Sequence, residues 1–462
     1  VSLPAARRLA VVLSCFVCVS SHSSLLAKEE VQPAGWVLDS IHVDEEPDVA
    51  GFREPGWHTI LHVDLDLEAG DLVRILGEQQ FTEAERVATL LTTQIFAGDA
   101  PAGIAASQRV KRGDGENHHI TFRGFGTFVA GSSGSFHISY RARMSDLTRI
   151  DIDQPRFGGL TVRRFRPADA ASAPGTDEGL HLAELVSSTV ASPGFMVAHR
   201  ATPLLGGRLR IPYRGQDTWA LLSTQNVYEW NPHGASAEVI VDQLAFKRPR
   251  GLYRMGENVT ASLRSLALSL NPALAIGEDG LDMELTSYIG NGSGVTGLGP
   301  GHGHLQALVF AKSAPGSMIL RDLEEGSLPA ATQSSAGDGG RQILVSQETT
   351  LETPSVISVQ AVTNVGLDQA GKDPGSCRQR PVLERRESDL SWARVAAGSW
   401  NSRSVSPRDP YALLTNNYAF AISEPGNYRI ICEFQTLGED LKVVIPAGQA
   451  SLMVERYGSA QR

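Results

Sequence analysis

Cysteine is scarce in this chain, and its scarcity sets the first limits. Four occur in 462 residues, and two of them, Cys15 and Cys18, fall in the N-terminal leader described below. Only Cys377 and Cys432 remain. A dense disulfide framework and a zinc site built from cysteine alone are therefore both excluded. Positive charge is also in deficit, with 41 Lys and Arg against 51 Asp and Glu and a net charge of -10. That balance argues against sequence-independent binding of nucleic acid, which needs clustered cations on phosphates. Beyond the leader no apolar run reaches the roughly 20 residues of a membrane helix, so no membrane span is expected. Also missing are His-Glu-x-x-His, Gly-x-Ser-x-Gly, a phosphate loop ending in Gly-Lys-Ser/Thr and EF-hand spacing. No catalytic residue and no cofactor-binding residue is assigned on spacing.

What the chain does have is turns and short alternating strands. It contains 46 Gly and 24 Pro, and no long segment of helical period. The N-terminus reads as an export signal over residues 1–27. Arg7 and Arg8 precede an apolar run from Leu9 to Val19, and small residues up to Ala27 follow. The initial Val is what a non-standard start codon would give if written literally, which points to a bacterial source. A secreted, periplasmic or envelope location is the expectation that follows.

The organising stretch is Ser423 to Ile431, in which Pro425 and Gly426 set a turn and Tyr428 and Ile430 open an alternating strand. Fainter copies occur around Gly134 and Gly280. The three glycines are spaced by 146 residues each time. Other landmarks keep nearly the same offset. Trp219 lies 146 residues after Val73, and Phe310 lies 145 after Phe165. The closing segments Leu160 to Phe165 and Leu452 to Tyr457 share an apolar-x-Val-x-Arg-aromatic pattern. The sequence thus predicts an all-β protein of three tandem antiparallel β-sandwich domains, jelly-roll-like or immunoglobulin-like. Its expected units are 28–166, 179–312 and 342–462. Ala-, Pro-, Ser- and Gly-rich linkers are expected at 167–178 and 313–341, and a polar loop from Asp373 to Glu387.

Candidate chemistry is sparse. His302 and His304, in a Gly-rich stretch, share a side when extended and would offer two metal ligands. Asp64 and Asp66 share a strand face and would suit Ca²⁺, as would the acidic loop Asp44 to Asp48. Each group also reads as solvated polar residues. Cys377 and Cys432 would pair in an oxidising compartment, or fill the core as free thiols. These features favour a non-catalytic exported protein with a binding or structural role, its partner a glycan or a protein surface. The alternative is a secreted polysaccharide hydrolase or lyase whose site is assembled from several strands.

Overall fold

Alternation along the chain becomes strand structure directly. In the strand His58–Leu67, Leu65 and Leu67 are buried while Asp64 and Asp66 face solvent. Ile60 and Leu61 are both fully buried, although they are consecutive. A register shift between Thr59 and Leu61, against the strand Gly134–Met144, lets both turn inward. The computed structural model describes residues 36–459 apart from 84–88, 111–118, 146, 148, 153–157, 168–179, 191–194, 198–201, 214–217, 233–237, 249–250, 260–264, 271–272, 290–292, 298–302, 313–317, 328–331, 336–340, 369–374, 399, 406–410, 439–440 and 447–449. The described residues are all-β, in several antiparallel sheets with no helix among them. The leader lies outside them.

Three hydrophobic cores form, one per repeat. The first lies between an inner sheet (Trp36–Asp44, Leu72–Glu83, His119–Val129, Gly158–Pro167) and an outer sheet (His58–Leu67, Thr89–Ala97, Gly134–Met144). Ile75, Phe81, Phe122, Tyr140 and Val162 fill it. The second contains Leu209, Leu222, Met283, Leu285 and Val309. The third contains Ile357, Val359, Leu414, Tyr428, Ile430 and Phe434.

Two segments expected to be irregular are strands. Residues 318–327 lie in the second expected linker, yet Met318–Ser327 pairs with Ala450–Ser459, and Thr332–Ser335 pairs with Lys442–Ile445. Met318–Ser327 occupies the place that Trp36–Asp44 and Leu180–Val190 hold in the first two repeats. All three carry a register shift two residues after a leucine: Leu38, Leu182 and Leu320. Polar composition hid this strand. The second segment is Gly375–Arg386, which pairs along its length with Gly426–Leu437. Its proline masked it, because Pro381 cannot donate to a ladder. In the structure Pro381 stands where the strand changes neighbour, from Asn401–Val405 to Trp392–Ala397. On that side no donor is needed.

The register also refines the repeat. Phe165 faces Leu72, Phe310 faces Trp219 and Tyr457 faces Val356. Trp219 is therefore the counterpart of Leu72, one position from the Val73 that the 146-residue offset selects. In a strand that one position reverses the face. Val73 belongs to the core of its own repeat. Trp219 packs instead against a fourth cluster, together with Leu72, Phe165, Leu182, Leu308, Phe310 and Tyr457. This cluster draws on all three repeats. The first strands meet there through the bridges Trp36↔Leu182 and Leu180↔Leu320. Among the described residues, the three inner sheets are thus joined into one 19-stranded sheet around this shared cluster.

Candidate binding face

The outer sheet of the third repeat carries the densest set of polar and aromatic side chains. Gly375–Arg386 and Gly426–Leu437 form its centre. Cys377, Gln379 and Leu383 point inward with Tyr428, Ile430, Cys432 and Phe434, and all seven are buried. The alternate residues face out in cross-strand rows: Arg378 opposite Gln435, Arg380 opposite Glu433, Val382 opposite Ile431, and Glu384 opposite Arg429. Arg378 donates from Nε and Nη2 to Gln435 Oε1 at 3.0 and 2.7 Å. Arg429 Nη2 reaches Glu384 Oε2 at 2.5 Å. Glu433 is nearly enclosed and meets three arginines: Arg380 at 2.6 Å, Arg394 at 3.1 Å and Arg341 at 3.4 Å.

Two tryptophans frame these rows. The guanidinium carbons of Arg378 and Arg380 lie 4.4 and 4.3 Å from the ring centroid of Trp400. Those of Arg429 and Arg386 lie 4.7 and 5.9 Å from Trp392. Such cation–π contacts add to the hydrogen bonds in positioning the guanidinium groups. Cations outnumber anions on this face. Arg378 accordingly sits below the ordinary guanidinium value, through partial burial and then through crowding by Arg341 and Arg380, with Glu433 opposing. Neither Arg378 nor Arg386 has a carboxylate within ion-pair distance among the described residues.

Trp400 also borders a small crevice of about 10 Å³, room for a single water, lined by Glu78, Gly158, Gly159, Asn416, Asn417 and Tyr418. Glu78 comes from the first repeat. Its Oε2 accepts from Arg123 Nε at 3.0 Å, and its Oε1 accepts from Asn401 Nδ2 at 2.5 Å. Burial pushes its carboxyl upward, against the pull of Arg123, Asn401 and Thr415.

The residues singled out in the sequence do not assemble into a site. His302 lies outside the described residues. His304 stacks against Phe125 of the first repeat, ring centroids 5.5 Å apart, and burial lowers its pKa. Asp64 accepts from His137 Nδ1 at 2.8 Å, while Asp66 stays exposed opposite Ser135. In the acidic loop, Asp44 accepts from the backbone N–H of Glu46 and of His62, and Asp48 bonds the His62 ring at 2.9 Å. No group of three or more His, Cys, Asp or Glu able to hold a metal ion occurs among the described residues.

Cys377 and Cys432 are free and buried in one core. The pairing expected of them meets a geometric obstacle. Cys377 lies opposite Thr436, and Cys432 opposite Pro381, four positions away along the same strand pair. At about 3.3 Å per residue that is about 13 Å, whereas a disulfide needs Cα atoms within about 7 Å. Burial raises both thiols, Cys432 to about 12.

The binding-face residues were missed because their strand was read as a loop. The period-two pattern of Cys377, Gln379, Pro381 and Leu383 against Arg378, Arg380, Val382 and Glu384 was the available signal. No protein-family model matches the chain, and no curated protein matches it. Among solved structures it is similar to the N-terminal CBM22-1-CBM22-2 tandem domain from Paenibacillus barcinonensis Xyn10C. The identity is 11%, over 62% of this chain and 100% of that one, with a TM-score of 0.17. It is also similar to a structure of infectious bursal disease virus, Gt strain. There the identity is 10%, over 93% of this chain and 80% of that one, with a TM-score of 0.20. At these scores neither likeness carries an argument about fold or function.

Proposed function

We propose that the chain is an exported, non-catalytic protein of three tandem β-sandwich domains that binds an acidic glycan through the outer sheet of the third. The observation that carries this reading is the set of arginines that lie over the rings of Trp392 and Trp400 on this sheet. Planar guanidinium groups match sulfate and carboxylate oxygens in a bidentate way. Asn417 and Tyr418 add hydrogen-bonding groups beside Trp400. A cell-envelope or extracellular setting, in a bacterium, agrees with the leader. A panel of sulfated, uronic-acid and neutral glycans tests the reading. Retention of acidic members without turnover is expected, and equal retention of neutral ones would contradict it.

Glu78 favours a second reading, a polysaccharide hydrolase or lyase. A buried carboxyl with a raised pKa at a cleft is the form a general acid takes. Hydrolysis of glycosides ordinarily uses two carboxyl groups about 5–10 Å apart, and Glu78 is the sole carboxylic residue lining this crevice. Both its oxygens are also engaged. Glu78→Gln is expected to leave glycan retention within about twofold, with no cleavage in either form. Cleavage by the parent protein that disappears in the variant would establish the enzyme instead.

A further inference from the structure

A charge imbalance lies beside the cluster shared by the three repeats, away from the candidate binding face. Arg74 and Arg163 are opposed residues of neighbouring strands, and each is only 2% exposed. Like charges in that relation repel, and burial deepens the cost. Their counterparts in the second repeat are Leu221 and Leu308, and in the third Ser358 and Glu455. This layer thus offers two guanidinium groups and one carboxylate. Glu455 Oε2 lies 3.4 Å from Arg163 Nη1 and accepts from the Tyr457 hydroxyl. Arg163 Nη2 donates to Ser358 Oγ, and Arg74 Nη2 reaches Ser223 Oγ at 3.4 Å. Arg74 Nη1, Arg163 Nε and Glu455 Oε1 are buried without a hydrogen-bond partner.

Deprotonation does not remove the excess charge. Burial and then the neighbouring Arg163 lower Arg74 only to about 10, so it is cationic at neutral pH. The Tyr457 phenol is pushed upward by burial and by Glu455, so it stays neutral and adds no negative charge. One positive charge is left over in a layer walled by leucines, with donors still to be satisfied. A buried cation of this kind requires a counter-charge.

The geometry points to a single monovalent inorganic anion, with the chemistry of chloride, bound between Arg74 and Arg163 where they meet residues of the second and third repeats. Because residues of all three repeats surround it, the ion acts as a fastener for the whole assembly. It would be bound by the folded chain alone, so it raises stability by RT ln(1 + L/Kd), where L is the free anion concentration.

The test compares thermal unfolding of the full chain in sodium chloride and in sodium gluconate at matched ionic strength. Chloride, and bromide in its place, is expected to raise Tm by at least about 2 °C, rising with the logarithm of concentration above Kd. Crystals grown in bromide should show one anomalous peak in contact with both guanidinium groups. In Arg74→Leu, which places the residue of the second repeat in the first, the halide response should vanish. Equal Tm in chloride and gluconate, no bromide peak between Arg74 and Arg163, or a full halide response in Arg74→Leu would each overturn the proposal. Should Arg74→Leu fail to fold, the bromide map of the unaltered protein decides.

Discussion

His62 shows how local chemistry on the first outer sheet is set. Its ring bonds Asp48 and tilts against His137, ring centroids 5.1 Å apart. The bond to Asp48 raises its pKa above 6.5, with burial opposing and Asp64 and Asp44 adding to the rise. The folded state therefore holds this proton more tightly than the unfolded chain. Its contribution to stability is complete below pH 6.5 and fades as pH climbs through the higher folded value. With 39% of the side chain exposed, solvent limits the gain to less than about 1 kcal/mol. NMR titration is expected to place the His62 imidazole above 6.5, and Asp48→Asn should bring it back down. An unchanged value in the variant would remove Asp48 as the cause.

Among the elements, the repeated turns were the most legible part of the sequence. Gly134, Gly280 and Gly426 all stand at turns that lead into outer-sheet strands. They are nevertheless not identical. Gly134 and Gly426 share a φ of 158°, while Gly280 adopts 75°. A Cβ at Gly280 would also meet the Ile211 carbonyl oxygen at 2.7 Å. Gly280→Ala is therefore expected to cost more than about 1 kcal/mol, whereas Gly277→Ala, with open space around it, should stay within about 0.5 kcal/mol. Chemical denaturation of both variants checks this, and similar losses would contradict it. Strands with clean alternation, such as His58–Leu67 and Tyr411–Ile422, were equally readable. Gly375–Arg386 was not, because a proline and a run of polar residues weigh against a strand when neighbours are unknown. The binding face went unread with it. Its arginines and tryptophans are distant in sequence or scattered along polar segments, and the sheet register is what brings them together. Trp219 shows the same limit: a spacing off by one residue assigns the wrong face, and only pairing reveals it.

The whole molecule is three cores joined by a fourth. Phe310 is 1% exposed within that shared cluster. Phe310→Ala is expected to cost about 3–5 kcal/mol and to divide a single calorimetric transition into separate ones, because the repeats lose their common contact. A single transition in both proteins, merely shifted, would show that the shared cluster does not couple them. At this scale the charge is also divided. The chain as a whole carries -10, while the third outer sheet is locally cationic. An anionic ligand is thus repelled by most of the surface and drawn to one face. The most direct measurement of that account is the affinity of the full chain for a sulfated polysaccharide as a function of salt, with and without Arg378→Gln and Arg386→Gln together. Affinity should fall steadily with ionic strength, and the double variant should bind about tenfold more weakly, a difference of about 1.4 kcal/mol. Salt-independent binding, or a double variant that binds as tightly as the parent, would contradict it.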